Sequence, residues 1–352
     1  MKSQADLILT DLKVDIDAAL KQFVSAETEN LISIGSELAP AAQSLAAFIL
    51  DSGKRLRPLF AVVGYLGSGK EITKEIISAA ASLELIHVCA LIHDDLMDGS
   101  DTRRGAPAIH RAFEASHRSE GRSGNPQQFG AAAAILLGDL ALVWSAKMLH
   151  TSGIPDAILI KSLKMYDELR IELMAGQFLD VYEQTSHTSS IDRSRKIARF
   201  KSGKYTIERP LHFGAALASA ENLNESYTQY GIPLGEAFQL RDDLLGVFGE
   251  SAITGKPTGD DLLEGKRTAL IAKTFELSNP SQAIVISQVL GNRLASEDLV
   301  SKAKDVIMET GALNYIEDLI MELTNQSLTA ISNLPNQALL AKLAELTTKR
   351  SS

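Results

Sequence analysis

Two groups of closely spaced aspartates are the residues whose types and spacing best suit chemistry in this sequence. Asp94, Asp95 and Asp98 follow a long apolar stretch that contains His87. At about 100° per residue in a helix, Asp94, Asp98 and His87 lie within about 40° of one another, with Asp95 close by. Carboxylates crowded at the C-terminal end of a helix repel each other and oppose the helix dipole. Oxygen ligands completed by substrate phosphates are typical of magnesium, so the pattern indicates a magnesium site.

A second acidic group lies farther along the chain. Asp242 and Asp243 follow Gln239, and on a helix these three side chains share one face. Lys256 and Lys266 come next, in glycine-flanked turns where a lysine can approach an anion closely. Taken alone, each of them is more often an ordinary surface lysine than an anion-binding one.

Basic residues lie beside the first acidic group and also near the start of the chain. Arg103 and Arg104 come soon after Asp98 and are either its salt-bridge partners or ligands of a metal-bridged diphosphate. Guanidinium groups bind phosphate oxygens bidentately, which suits the second role. Lys54 and Arg57 are one helical turn apart, so a helix would place them on the same side.

Helices are the elements that must position these groups, because apolar residues recur at three- and four-residue spacing. The clearest stretches are Leu7–Phe23, Ile76–Met97, Ala157–Val181 and Leu313–Leu334. No Asn-Gly or Asp-Gly dipeptide separates two alternating runs, so strands have little support. We predict an all-α bundle of about a dozen helices, forming a single domain over residues 1–352. A mobile loop is expected over residues 116–128, and Pro210 should kink its helix.

Composition restricts the class of protein. The 352 residues carry 35 Lys and Arg against 44 Asp and Glu, a net charge of −9, which argues against nucleic-acid binding. The single cysteine, Cys89, cannot form an intrachain disulfide and fits a reducing compartment. The most apolar window, Ala131–Trp144, is short and contains Asp139, so no membrane span or stable membrane anchor is expected. No signal peptide is evident, and we expect a cytoplasmic protein.

The order of motifs resembles that of the trans-isoprenyl diphosphate synthases, the polyprenyl synthetases. The motif core, about residues 53–268, contains G-K-R-L-R-P, D-D-x-x-D, R-R-G-x-P, G-Q-x-x-D, K-S-G, Q-x-x-D-D and G-K-x-T in that order. The resemblance implies an isoprenoid synthase-type helical bundle around a deep central cavity, and a homodimer. It also implies magnesium-dependent transfer of an allylic prenyl chain from dimethylallyl, geranyl or farnesyl diphosphate to isopentenyl diphosphate.

The same resemblance implies a role for each matching residue. It makes Asp94, Asp98, Asp180 and Asp242 ligands in a set of about three magnesium ions, with Asp95 and Asp243 in support. Arg103, Lys201 and Lys256 would hold the allylic diphosphate, with Ser202 and Lys266 nearby. The separate site for isopentenyl diphosphate would contain Lys54, Arg57, His87 and Arg104, and Gln177 and Gln239 would line the cavity.

Two departures from the family pattern bear on activity and product. Gly246 stands where the second motif often has a third aspartate, which we expect to shift metal affinity without abolishing activity. Cys89 and Ala90 are small where bulky residues would stop the growing chain, and Ile86 is a candidate for a deeper floor. We therefore favour a C20 product, geranylgeranyl diphosphate, over farnesyl diphosphate or a longer chain of C25 and above.

Three other interpretations compete with this one. A class I terpene cyclase shares the first motif but usually has a different second motif and no isopentenyl diphosphate site. A non-catalytic subunit of a synthase typically loses the paired aspartates that this chain retains. A di-iron protein would use Glu84 with His87 and Glu114 with His117, which have the spacing of bundle iron ligands.

Overall fold

The fold is almost entirely helical, as predicted. A computed structural model describes residues 3–51, 53–185, 190–249 and 259–348. The α-helices in these ranges are α1 (Gln4–Ile34), α2 (Ala39–Leu50), α3 (Leu56–Leu66), α4 (Lys74–Met97), α5 (Ile109–Ser119), α6 (Pro126–His150), α7 (Asp156–Gln184), α8 (Ile191–Ala198), α9 (Arg209–Leu217), α10 (Asn224–Phe248), α11 (Asp260–Glu264), α12 (Ala269–Leu277), α13 (Pro280–Val289), α14 (Glu297–Glu309), α15 (Ala312–Ala330) and α16 (Gln337–Thr348). Single 3-10 turns cover Ser36–Leu38 and Glu221–Leu223, and a π-helix covers Arg199–Glu208.

Contacts within the chain divide it into two compact units. The first unit comprises Met1–Tyr166 and Pro210–Leu223, and the second comprises Asp167–Arg209 and Asn224–Ser352. The expectation of a single domain over 1–352 therefore stays a prediction. Each unit contains one of the two acidic groups that the sequence analysis identified.

The first unit is built around α4, which is buried on nearly every face. Its buried residues run from Ile76 to Ile92 and include Ala79, Leu83 and Ile86. Helix α1 buries a single stripe at three- and four-residue spacing: Leu9, Leu12, Ile16, Leu20 and Val24. Burying five such side chains contributes on the order of 10 kcal/mol before the entropy of ordering is subtracted. This packing fixes α4, whose C-terminal end carries the first acidic group.

The second unit is built around α10. Ala237, Leu240, Leu244 and Val247 of α10 pack in one apolar core with residues of α11 to α15. Arg241, on the next face of α10, donates to Glu317 of α15 at 2.7 Å and 2.6 Å and to the Thr348 carbonyl at 3.1 Å. These contacts hold the segment of α10 that carries the second acidic group.

Two local predictions were wrong. The loop expected over residues 116–128 is only six residues long, because α5 continues to Ser119 and α6 begins at Pro126. Ion pairs from Glu114 to Arg111 and Arg118 support the polar end of α5, and the Asn125 side chain caps α6. Pro210 follows directly on the π-helix, which continues into α9 at Arg209, so the expected kink stays a prediction. A two-residue hairpin, β1 (Thr102–Arg103) and β2 (Ala106–Pro107), was also not predicted.

Two helices, α4 and α6, are long and apolar enough to cross a membrane by length and composition alone. The most apolar window of α4 is 72% buried inside the protein, as expected of a core helix, whereas that of α6 is 39% buried. The sequence analysis underestimated α6 because Asp139 does not interrupt the helix, which extends from Pro126 to His150. Helix α6 therefore presents an unusually apolar exposed face.

Candidate active site

The first acidic group lies in the last turn of α4 and at its C-cap, as predicted. Asp94 and Asp98 are half-buried, whereas Asp95 is 1% exposed. The Arg103 Nε atom donates to both oxygens of Asp95, at 2.9 Å and 3.1 Å, and an Nη atom of Arg103 also contacts Asp95. This bidentate pair holds the Arg103 guanidinium against Asp95 in the last turn of α4. Asp95 thus orients an arginine.

The unexpected hairpin positions the two arginines. Its central residues, Arg104 and Gly105, have φ values of 53° and 78°, as a tight two-residue hairpin turn requires. The turn sends Arg104 away from Asp95 and toward α2, where its guanidinium is 3.4 Å from Asp51 and 5.9 Å from the ring of Phe48. The two consecutive arginines therefore contact different elements of the first unit: Arg103 contacts α4, and Arg104 contacts the C-terminal end of α2.

His87 is surrounded by arginines. Its pKa is held well below the usual range, first because the imidazole is desolvated and then because of the charges of Arg57, Arg104, Arg103 and Arg55. The imidazole is consequently neutral at working pH and donates one N–H. Arg57 is buried in α3, whereas Lys54 is exposed just before that helix. A neutral donor among arginines suits a site for the diphosphate of a metal-free substrate.

Arg55 was not among the predicted site residues, although it positions two of them. It is 3% exposed and donates to Asp17 at 2.7 Å, to Glu84 at 2.9 Å, and to the carbonyls of Ile49 and Asp51 at 3.0 Å and 3.1 Å. These bonds tie the segment between α2 and α3 to α1 and α4. The segment contains Lys54 and leads into Arg57, so Arg55 positions both. Its place within G-K-R-L-R-P was the available signal.

The α4 face below Asp94 has small or deeply placed side chains. Ala90, one turn before Asp94, is half-buried, and Ile86, about 12 Å from Asp94 along the helix, is fully buried. Cys89 is also fully buried, with its Sγ 3.7 Å from His93 Nδ1. His93 Nε2 lies 3.1 Å from a carbonyl of α6, so Cys89 belongs to the contact between α4 and α6. Of the residues expected to limit chain length, Ala90 is the one exposed on the Asp94 face.

The second acidic group concentrates charge in the second unit. Asp243 is buried, and its pKa is raised to about 8, first by burial and then by the charges of Asp261, Asp242 and Asp180. The Gln239 amide opposes this shift by donating to Asp243 at 2.7 Å. The carboxylates of α7, α10 and α11 are therefore close enough to repel one another.

Asp180 is paired with Lys201. The Lys201 Nζ atom donates to Asp180 at 2.6 Å, from the π-helix to α7. The close approach depends on Gly176, because a Cβ there would be 2.4 Å from the Lys201 backbone nitrogen. Gln177 lies next to Gly176 on α7, and Ser202 follows Lys201 on the π-helix, whose rare geometry is frequent at functional sites. Two of the predicted motifs, G-Q-x-x-D and K-S-G, thus meet at one contact within the second unit.

Lys266 also pairs with carboxylates. Its Nζ atom is 3.0 Å from Asp261 and 2.8 Å from Glu264. Asp261 was not among the predicted site residues, although it lies in the same glycine-flanked segment. Lys256, the other lysine predicted there, lies outside the described residues.

The donor set fits magnesium in one specific way. Among the described residues, no group of three or more His, Cys, Asp or Glu side chains is arranged to hold a metal ion by itself. Magnesium usually takes one or two carboxylates and completes its shell with water and substrate phosphates. The half-buried Asp94 and Asp98, and the crowded carboxylates around Asp243, have the excess negative charge that such ions neutralise.

The di-iron interpretation was wrong. Glu84 is 2% exposed and is paired with Arg55, and Glu114 is paired with Arg111 and Arg118. His117 Nε2 contacts the Ser123 carbonyl at 3.1 Å. The carboxylates that iron would need are thus already in ion pairs with arginines.

Comparison with known proteins identifies the family. The model of the family described as Polyprenyl synthetase matches residues 40–307, more than half of the chain. A crystal structure of a geranylgeranyl pyrophosphate synthase from Corynebacterium glutamicum, complexed with isoprenyl diphosphate and magnesium, is 41% identical with a TM-score of 0.92, over 96% of this chain and 98% of that one. A geranylfarnesyl diphosphate synthase from Aeropyrum pernix is 30% identical over 82% of this chain and 85% of its own length. A geranylgeranyl diphosphate synthase from Sulfolobus acidocaldarius is 27% identical over 99% of both. The chain therefore belongs to the polyprenyl synthetase family.

Proposed function

We propose that this prenyltransferase condenses an allylic diphosphate with isopentenyl diphosphate and makes geranylgeranyl diphosphate as its main product. The observation that carries the product assignment is the small, half-exposed Ala90 one turn below Asp94. A growing chain that follows α4 meets no bulky side chain there, and the next candidate floor, Ile86, is about 12 Å from Asp94. The similar Corynebacterium glutamicum and Sulfolobus acidocaldarius enzymes, both named for the same product, support this choice.

The reaction requires charge separation. The allylic carbon–oxygen bond breaks, the diphosphate departs with the electron pair, and the double bond of isopentenyl diphosphate attacks the allylic cation. Loss of a proton then gives a chain longer by one isoprene unit. Magnesium supplies the positive charge that stabilises the departing diphosphate. Asp94 and Asp98 would hold ions in the first unit, and Asp180 and Asp242 in the second.

The basic residues act on the phosphates. Arg103, held by Asp95, donates to the departing diphosphate as a preorganised group, so little reorganisation is needed as charge develops. Lys201, in the second unit, would bind a diphosphate when its side chain leaves Asp180. Arg57, Arg104 and neutral His87 bind the diphosphate of isopentenyl diphosphate, and Lys54 adds a further charge. No side-chain nucleophile is needed, and the buried Cys89 thiol, with a pKa raised to about 12 by burial and by Asp139, is unsuited to be one.

The test is product analysis with the purified chain alone. Magnesium and labelled isopentenyl diphosphate are supplied with the dimethylallyl, geranyl or farnesyl diphosphate starter. We expect the C20 diphosphate from all three starters. Products no longer than C15 would refute the C20 assignment. A main product of C25 or longer would also refute it and would mean that the residue limiting chain length lies deeper than Ile86. Cyclic hydrocarbons formed without isopentenyl diphosphate would favour a cyclase.

We also propose that the active form is a homodimer in the cytoplasm and that a second copy covers the exposed face of α6. Leu136, Val143 and Ile135 on that face are 67%, 60% and 48% exposed. Asp139 and Lys147, with side chains 62% and 47% exposed, interrupt the face. Charges in the middle of an apolar face are costly in lipid but acceptable at a protein interface.

Sedimentation of the chain and of one variant tests the dimer. We expect the wild type to sediment as a dimer and Leu136→Glu as a folded monomer. Leu294→Glu is the matched control, because Leu294 is 94% exposed in the loop before α14, and it should remain dimeric. A monomeric wild type, or a dimeric Leu136→Glu, would contradict this interface.

A further inference from the structure

Gly246 and Asp261 form a contact that the second aspartate motif does not by itself explain. A Cβ atom built on Gly246 would lie 1.8 Å from Asp261 Oδ2 and 2.4 Å from Asp261 Cγ. Both distances are far below a van der Waals contact, and the Cγ stands about where a side chain at position 246 would continue. The carboxylate of Asp261, from α11, therefore occupies the volume that a side chain on α10 would fill.

That volume lies on the same face of α10 as Asp242. Gly246 lies four residues after Asp242, so positions 242 and 246 are neighbours on the same face of α10. The Asp261 carboxylate is also near enough to Asp243 for its charge to act on that residue. A carboxylate thus stands one turn beyond Asp242 although α10 has glycine at that position.

The two oxygens of Asp261 have different surroundings. Oδ1 accepts a hydrogen bond from Lys266 Nζ at 3.0 Å, and Oδ2 is directed at Gly246. The backbone N–H of Lys266 also donates to the Asp261 carbonyl at 3.0 Å. Lys266 therefore fixes Asp261 in the first turn of α11 and leaves its second oxygen on the α10 side.

We propose that Asp261 supplies, from α11, the third carboxylate that the second aspartate motif lacks at Gly246, and that it helps to bind the divalent cation of Asp242. Glycine at 246 provides the space that admits this carboxylate. The inference rests on the proposed magnesium site, and it makes Asp261 a positioning residue or ligand for that ion. The expected shift in metal affinity from Gly246 is then largely compensated within the chain.

Two single variants remove the same carboxylate by different means. Asp261→Asn keeps the shape and removes the charge. Gly246→Ala places a methyl group where Oδ2 lies, and the flexible Asp261 side chain must swing away. Because alanine has a higher helix propensity than glycine, Gly246→Ala should not lower the melting temperature through the backbone. A loss of metal affinity at unchanged or higher stability therefore identifies displacement of the carboxylate.

The measurement is Mn2+ binding to the full chain with inorganic pyrophosphate, followed by the EPR signal of free Mn2+ against a protein-free titration. We expect each single variant to bind the weakest of the Mn2+ ions about 10-fold less tightly, as changes around metal ligands typically do. The double variant Gly246→Ala/Asp261→Asn should lose no more than the worse single variant, because both remove one interaction. Gly246→Asp/Asp261→Ala returns a carboxylate to α10 and should recover affinity to within about 3-fold.

Asp260→Asn is the matched control, since it removes a neighbouring charge on α11 from a different face and should leave Mn2+ binding unchanged. Wild-type affinity in Asp261→Asn would overturn the inference, as would fully additive losses in the double variant or an equal loss in Asp260→Asn. If the wild type binds no Mn2+ with pyrophosphate, the proposed magnesium site fails instead, so the two failures are distinguishable.

Discussion

Removing Arg55 should destabilise the first unit by several kcal/mol, mostly through the charge it leaves behind. Arg55 and Glu84 have side chains only 2% exposed and lie 2.9 Å apart. Breaking a buried pair by removing one partner typically costs about 3–5 kcal/mol, because the other charge stays desolvated. The pair with Asp17, whose side chain is 38% exposed, adds at most about 1 kcal/mol. We therefore expect Arg55→Met to lose about 4 kcal/mol of unfolding free energy.

Urea unfolding followed by circular dichroism measures this loss, and a second variant separates its causes. Replacing both partners, in Arg55→Met/Glu84→Met, removes the stranded charge and should recover at least half of the loss. Lys302→Met is the control, since the Lys302–Asp298 pair has side chains 62% and 77% exposed and should change stability by less than about 0.5 kcal/mol.

Either of two results would refute this reasoning. A loss below about 1 kcal/mol in Arg55→Met would mean that the buried pair contributes little. A double variant as unstable as the single one would mean that the bonds from Arg55 to the Ile49 and Asp51 carbonyls dominate instead. In that second case the loop before α3, and not the charge of Glu84, would be what Arg55 stabilises.

Three further predictions concern the product, the pH dependence of binding and the pH dependence of stability. Ala90→Phe should shorten the main product by at least one isoprene unit in chromatography of the chains, whereas Leu294→Phe in the exposed loop before α14 should not; an unchanged product contradicts the role of Ala90. Because His87 is neutral at working pH, KM for isopentenyl diphosphate should show no ionisation near pH 6.5, and His87→Gln should raise it less than about 3-fold; a wild-type transition that His87→Gln removes would contradict this. Burial acts to raise the pKa of Glu172, but hydrogen bonds from the π-helix and α9 lower it on balance, so its contribution is present above pH 4.5 and lost as the pH falls below that. Glu172→Gln should therefore cost about 2 kcal/mol in urea unfolding at pH 7 and little at pH 3, and an equal cost at both would refute the ion-pair explanation.

The helices were predictable because burial imposes their period on the sequence. The apolar spacing in Ile76–Met97 follows from packing α4 on nearly every side, and the structure has that helix over Lys74–Met97. The predicted loop over 116–128 failed for the opposite reason. Polar segments have no apolar period to read, and α5 is stabilised there by ion pairs and by the Asn125 cap of α6. Apolar periodicity thus detects helices that bury one face, and it misses helix ends that are stabilised by ion pairs and caps.

The sequence indicated which residues belong to the site better than it indicated which of them contact each other. The aspartates and arginines were recognisable by type and order, but their pairing depends on turns with weak sequence signals. The hairpin at Arg104 and Gly105 decides that Arg103 contacts Asp95 while Arg104 turns toward Asp51. Gly246 was noted only as a missing carboxylate, because the approach of Asp261 depends on a tertiary contact with a residue well beyond the end of α10 at Phe248. Spacing along the chain identifies candidate site residues. The conformation of the backbone between them determines which of their side chains come into contact.

The ion pairs within the proposed site link the binding of metal to the binding of diphosphate. Arg103 contacts Asp95, Lys201 contacts Asp180 and Lys266 contacts Asp261, so three of the cations suited to phosphate contact carboxylates. A cation that binds Asp180 would compete with Lys201 for that carboxylate, and a diphosphate that takes Lys201 would leave Asp180 without that counter-charge. Each event therefore lowers the cost of the other, and by linkage the metal must raise the affinity for diphosphate as much as diphosphate raises that for the metal. Arg103 differs, since the buried Asp95 keeps it in place throughout.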